Sequence, residues 1–166
     1  MKDTEGRPID YLRISITDRC NLRCAYCMPE QGVEVKEHDE ILRYEEFIRL
    51  AAVAGSLGFA HFRITGGEPL VRKGVPSLVS GLAAHLPTAD LSLTTNATLL
   101  APVARELRDA GLRRVNISLD TLQAAKYAAI TRRDLWQAAW AGIEAALAVG
   151  FAPVKINVVL VRGFND

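Results

Sequence analysis

Cysteine, aromatic side chains, net charge and long apolar runs are all scarce in this 166-residue chain. The formal net charge is +1, which argues against a protein that coats nucleic acid, although a local basic pocket remains open. No apolar run approaches the length needed to span a bilayer, so no membrane role is expected. Met1 to Arg7 are polar and charged, unlike a secretory signal. The expectation is a soluble, cytoplasmic protein. The three cysteines are an odd number and all lie between Cys20 and Cys27, which excludes a disulfide framework in a reducing compartment. What is present is a 49% apolar composition, enough for the core of one ordinary domain, with no linker or internal boundary.

Five segments read as strands: 11–17, 62–65, 91–95, 115–119 and 154–161. Helical spacing recurs between them at Val75, Leu78, Val79, Leu82 and Leu86, then at Val103, Leu107 and Ala110. Trp136, Trp140, Ile143 and Leu147 form a third stripe, which assigns both tryptophans to the core. Residues 45–57 are a further helix of good helix formers. Gly58, Gly111 and Gly150 sit where C-cap glycines do, each a few residues ahead of a strand. Strand and helix alternate throughout, so the fold class is α/β with a parallel sheet of about five strands.

The strands alternate in polarity rather than running apolar throughout. Arg13, Ser15 and Thr17 share a face, as do Arg63 and Thr65, then Ser92, Thr94 and Asn96, then Asn116, Ser118 and Asp120, and finally Lys155 and Asn157. One face can therefore carry helices while the other is polar. An open sheet with one wet face is one explanation. A curved, barrel-like sheet with a polar concave face fits better, and its cations Arg13, Arg63 and Lys155, with only Asp120 as carboxylate, suit an anionic or phosphorylated ligand. The cysteine loop, "TGGEP" (65–69), "TTNA" (94–97) and "SLD" (118–120) each follow a strand, at the end where parallel α/β folds place ligands and chemistry.

The cysteine spacing is Cys20-x3-Cys24-x2-Cys27. Four thiolates would close a structural zinc site or an electron-transfer cluster; two would make a redox pair. Three thiolates on a cubane leave one iron open to bind and react with a ligand. Zinc completed by a distant fourth ligand, or inert cysteines, are the alternatives. His38, His61 and His85 lack zinc-finger spacing to the cysteines, and surface or strand-edge positions account for them.

"CNLRCAYC", with Tyr26 as its aromatic, and "GGEP" on the next strand end resemble the signature of radical S-adenosylmethionine (radical SAM) enzymes. "GRPIDYLRISITDRCNLRCAYCMPE", "FRITGGEPLVR", "LTTNATLL", "AGLRRVNISLDTL" and "KINVVLVRGFND" are similar, within that superfamily, to the GTP 3′,8-cyclases of molybdenum cofactor biosynthesis. The resemblance implies a partial (βα) barrel and a single catalytic domain over residues 1–166, forming the N-terminal part of a longer architecture. It implies Cys20, Cys24 and Cys27 as ligands of a [4Fe–4S] cluster. Tyr26, Gly66, Gly67, Glu68 and Ser118 would bind S-adenosylmethionine, and Arg13, Arg63, Thr94 and Lys155 would bind GTP. Three of those four are the cations already singled out by strand parity. The implied chemistry is reductive cleavage of the sulfonium, hydrogen abstraction from C3′ of GTP and closure onto C8 of guanine, with no side chain as general acid or base. An electron donor, a possible homodimer and a missing C-terminal half carrying a second [4Fe–4S] cluster are implied as partners. Two departures stand out: Ala97 replaces the glycine usual after Asn96, and no cysteine follows Cys27. A radical enzyme acting on a peptide or small molecule, or a non-catalytic cluster- or nucleotide-binding fragment, are the competing functions.

Overall fold

Alternating polarity places five strands side by side, each with one apolar row. In the computed structural model, which describes residues 2–34, 36 and 40–166, these are β1 (Tyr11–Ser15), β2 (His61–Thr65), β3 (Asp90–Thr95), β4 (Arg114–Ser118) and β5 (Val154–Asn157). All pair in parallel in the order β1-β2-β3-β4-β5. The connections carry α1 (Tyr44–Ser56), α2 (Val75–His85), α3 (Ala104–Asp109), then α4 (Ala124–Thr131) and α5 (Trp136–Ala148) together between β4 and β5. Sheet neighbours are also sequence neighbours, so right-handed crossovers put α1, α2, α3 and α5 on the same face.

That face is the core. Phe62, Ile64, Leu91, Leu93, Val115 and Ile117 are at most 2% exposed and join one cluster with Leu78 and Leu82 of α2, Leu107 of α3 and Ala139 and Ala146 of α5. Each fully buried large side chain contributes about 1.5–3 kcal/mol. On the polar face Ser92 is 0% and Asn116 3% exposed. An open, wet sheet would leave both in water; their burial fits a sheet curved around its polar side.

The strand limits differ from the sequence reading because ladder partners, not local propensity, set them. β1 ends at Ser15 rather than Thr17, and β5 at Asn157 rather than Val161. Beyond Asn157 the chain leaves the ladder: the Val159 N–H donates to the Asp120 carboxylate at 2.9 Å and the Val161 N–H to the Asn165 side chain at 2.7 Å. β2, β3 and β4 each start one residue early, which adds His61, Asp90 and Arg114 to the polar face. Asp90 therefore joins Asp120 as a carboxylate there, paired with Arg114 and with His61 at 3.2 Å.

Two helical readings also change. α4 escapes notice because its Ala-rich sequence buries only Tyr127, Ile130 and Thr131. In α5 the buried face is Ala139, Gly142, Ile143 and Ala146, so Trp140 and Leu147 lie outside the core, 37% and 62% exposed. Trp136 and Trp140 stack at 5.6 Å, and the Trp140 indole N–H donates to Glu144. The reason is Gly142: a Cβ there would lie 2.2 Å from the Ala97 carbonyl oxygen, so small residues take the close contact and the large ones move to its flank. Gly58, Gly111 and Gly150 all have positive φ, as their C-cap placement requires. His85 bonds the Gly81 carbonyl on the surface, and His38 lies outside the described residues.

Candidate functional site

The cysteine loop leaves β1 and is held from two sides. The end of α4 accepts two of its N–H groups, Arg23 to the Thr131 carbonyl at 2.9 Å and Ala25 to the Ile130 carbonyl at 2.8 Å. Its own carbonyls are gathered by guanidinium groups. Arg23 donates to Cys20 and Leu22 oxygens at 2.7 and 2.8 Å, and Arg132 to Arg23 and Met28 oxygens at 3.2 and 3.1 Å. Arg132 has φ 54°, a left-handed conformation that a non-glycine residue adopts only when its surroundings impose it. A single turn then closes with the Cys27 and Met28 N–H groups on the Cys24 carbonyl, at 2.9 and 3.0 Å.

The loop after β2 packs directly on the cysteine loop. Gly67 N–H donates to Thr17 oxygen and Glu68 N–H to Arg19 oxygen, both at 2.8 Å. A Cβ on Gly66 would stand 2.7 Å from the Thr17 oxygen, and one on Gly67 2.4 Å from the Arg19 oxygen. Both glycines therefore permit backbone-to-backbone contact within the protein, in addition to bordering the cavity described below.

Glu68 is 1% exposed. Its carboxylate accepts from the Thr95 hydroxyl at 2.7 Å, the Asn96 N–H at 2.7 Å and the Leu70 N–H at 3.0 Å. Burial outweighs those three donors and raises its pKa above the ordinary carboxylate value. Asn96 in turn donates to Asn21 at 2.9 Å, and Asn21 donates to Thr98 at 2.9 Å. A buried polar network thus ties the loops after β1, β2 and β3 together. Ala97, with φ 64°, forms the turn of that third loop, so the conformation that glycine would favour is indeed required.

The polar face supplies the remaining residues. Arg13 and Arg63 are register partners on β1 and β2, and Asn116 and Lys155 on β4 and β5. The Arg63 guanidinium lies 5.1 Å from the Tyr11 ring centroid and, with the Asn116 amide oxygen assigned to face it, donates to that oxygen at 2.8 Å. Tyr26 donates its hydroxyl to Asp120 at 2.7 Å; burial and that carboxylate hold its phenol well above the usual range.

One cavity of about 320 Å³ gathers most of these groups, within the size range of small-ligand sites. Cys20, Cys24, Cys27, Tyr26, Gly66, Gly67, Glu68, Ser118, Arg13 and Thr94 border it, together with Asp120 and Tyr127, for which sequence reasoning supplied no ligand role. Arg63 and Lys155 lie on the same sheet face but outside this lining. Thr94 Oγ1 and the Tyr127 hydroxyl are buried with no hydrogen-bond partner among the described residues.

All three cysteines are free. Burial raises the Cys20 thiol and pushes Cys24 up to about 11, with the nearby negative groups Cys20, Asp120 and Cys27 adding to the latter. Thiolates in such surroundings need a strongly cationic partner. Among the described residues no group of three or more Cys, His, Asp or Glu side chains is placed to hold a single metal ion. The three thiols border one cavity.

A radical SAM superfamily profile matches residues 14–166. The chain belongs to the radical SAM superfamily. The cofactors of that superfamily, a [4Fe–4S] cluster and S-adenosylmethionine, are those that the resemblance of the cysteine and glycine-rich motifs implies. Among curated relatives, the GTP 3′,8-cyclase of Moorella thermoacetica is 58% identical and that of Petrotoga mobilis 56% identical over the whole chain, which covers 51% of each. The chain thus spans about half the length of the curated relatives it matches. Among solved structures, Streptococcus suis SuiB bound to precursor peptide SuiA aligns with TM-score 0.74 at 19% identity, over 92% of this chain and 33% of that one. Native anSMEcpe with bound AdoMet aligns with TM-score 0.68 at 20% identity, over 91% and 44%. These likenesses show the fold, the partial barrel of radical SAM enzymes, with about five of its strands present.

Proposed function

We propose that this chain is the S-adenosylmethionine-cleaving domain of a GTP 3′,8-cyclase, with residues 1–166 acting as one catalytic unit in the cytoplasm. The observation that carries the reading is the single cavity bordered by the three thiols, by Arg13 and Thr94, and by Ser118 and Tyr26. Identities above 55% to enzymes of that name support it. When bound, the cluster supplies the electron that splits the sulfonium of S-adenosylmethionine and so begins a radical lyase reaction.

The protein's part is to hold and orient. Cys20, Cys24 and Cys27 would hold the cluster. Gly66 and Gly67 seat their loop against the cysteine loop, so that its backbone and Ser118 face a cofactor in the same cavity. Glu68, which accepts from Thr95, Asn96 and Leu70, positions the third loop and would face the cofactor from the same cavity. Tyr26 is fixed by Asp120 at the rim. Arg13, Arg63 and Lys155 would meet the phosphates of GTP, and the unpartnered Thr94 hydroxyl would take a polar atom of that ligand. An external electron donor is required, and pairing with a second copy is part of the proposal. Complete cyclisation draws on more than these 166 residues, since the relatives are about twice as long.

The test is anaerobic. The cluster is rebuilt with iron and sulfide, reductant and S-adenosylmethionine are added, and 5′-deoxyadenosine is quantified with and without GTP. Product that rises with GTP supports the reading. Product indifferent to GTP favours a radical enzyme acting on a peptide or another small molecule. A complete cluster with no product leaves a binding domain only.

A further inference from the structure

The polar sheet face treats two of its arginines differently. Arg114 on β4 forms an ion pair with Asp90, which also meets His61 at 3.2 Å, so a carboxylate answers its charge. Arg63 on β2 has neutral partners instead. Its guanidinium lies 5.1 Å from the Tyr11 ring centroid and, with the Asn116 amide oxygen assigned to face it, donates to that oxygen at 2.8 Å. Among the described residues no carboxylate pairs with it.

Asn116 is 3% exposed on β4 and is the register partner of Lys155 on β5, so it stands between two cations of this face. Ser92, opposite Arg63 on β3, is small and fully buried, which leaves the long side chain room to reach across to β4. Asparagine and aspartate have the same shape, and a carboxylate would hold a guanidinium more firmly through charge-assisted bonds. It would also cancel much of the charge, because two opposite charges in contact present little net field to a third group. The amide fixes the direction of Arg63 and leaves its permanent positive charge intact.

We infer that Asn116 is a positioning and specificity-determining residue: a neutral acceptor that aims Arg63 at a polyphosphate without neutralising it or the neighbouring Lys155. The inference rests on the proposed assignment of Arg63 to the phosphates of GTP. Asn116 acts through Arg63 and need not touch the ligand. The ligand class it favours is one with several negative charges.

The test is titration calorimetry on the anaerobically loaded chain, with GTP, inorganic triphosphate and S-adenosylmethionine as separate ligands. Wild type is compared with Asn116→Asp, Asn116→Leu and Arg63→Ala. Aspartate keeps an acceptor oxygen and adds a charge, whereas leucine of similar size has neither. For both polyphosphates the leucine variant is expected to bind about threefold to tenfold more weakly than wild type, the loss of one aiming hydrogen bond. The aspartate variant is expected to bind about 10- to 100-fold more weakly, the larger cost of an opposed charge. Iron content and S-adenosylmethionine affinity are expected to stay unchanged in both. A residue that only shapes the site gives the reverse order, with aspartate close to wild type, and that order overturns the inference. Parallel losses of S-adenosylmethionine and polyphosphate binding overturn it as well. Should Asn116→Asp fail to load its cluster, the leucine variant decides: a loss as deep as that of Arg63→Ala overturns the inference, and a shallower one supports it. Arg63→Ala with undiminished polyphosphate affinity, or a loaded wild type that binds neither polyphosphate, overturns the phosphate assignment itself. A loss in Arg63→Ala with none in Asn116→Asp overturns this inference alone.

Discussion

Replacing Gly67 by alanine tests whether contact between two backbones builds the site. The added methyl would stand 2.4 Å from the Arg19 oxygen and 2.8 Å from the Asp18 oxygen. An ordinary carbon–oxygen contact is about 3.4 Å, so the two loops must separate by about 1 Å. Both hydrogen bonds between them, Gly67 to Thr17 and Glu68 to Arg19 at 2.8 Å, then fall outside bonding range. Two lost bonds cost about 1–3 kcal/mol, and forcing a methyl into a packed contact about 1–3 more. The sum, about 2–6 kcal/mol, corresponds to a fall in melting temperature of about 4–24 °C for a chain of this size. Circular dichroism of the metal-free protein reads the melting temperature, and iron and sulfide analysis after reconstitution reads the site. Cluster content is expected to fall severalfold, because the loop that moves carries the cysteines. Gly150→Ala is the control: it has positive φ but open space around it, so it costs about 1 kcal/mol and leaves cluster content unchanged. Gly67→Ala with full iron content and a melting temperature within about 2 °C of wild type would refute the reasoning.

Three further outcomes are expected. Glu68→Gln leaves an amide NH2 against the Asn96 N–H and destabilises the fold by about 1–3 kcal/mol at neutral pH in chemical denaturation. Because burial raises the Glu68 pKa above its ordinary value of 4.5, its contribution to stability is greatest below that value and is lost as pH rises through the folded-state pKa; the Gln variant lacks that slope. Arg132→Gly and Arg132→Ala both lose the bonds to Arg23 and Met28, but only alanine keeps the left-handed strain, so the glycine variant unfolds at a higher denaturant midpoint, by about 1 kcal/mol. Arg63→Ala removes a cation held by Tyr11 and Asn116; titration calorimetry with GTP is expected to show affinity reduced about 10- to 100-fold with cluster content unchanged.

Local and periodic features are legible in the chain itself. Alternating polarity marks the five strands and their polar face, Gly58, Gly111 and Gly150 mark helix ends, and the spacing of Cys20, Cys24 and Cys27 with "GGEP" identifies the superfamily. Such features report on one strand, one turn or one ligand set at a time, so a short stretch of sequence carries them whole. Tertiary contact decided the rest. Gly142 against Ala97 turned α5 so that Trp140 faces outward, although its spacing matched a core stripe. Glu68 met Thr95 and Asn96 across the sheet, and through Asn96 it reached Asn21, which made a buried brace of a residue that also borders the cavity. Tyr127 came to the cavity on a helix with too few large apolar residues to show a period. The Gly142 and Glu68 contacts join residues tens of positions apart, brought together by packing that no local pattern encodes.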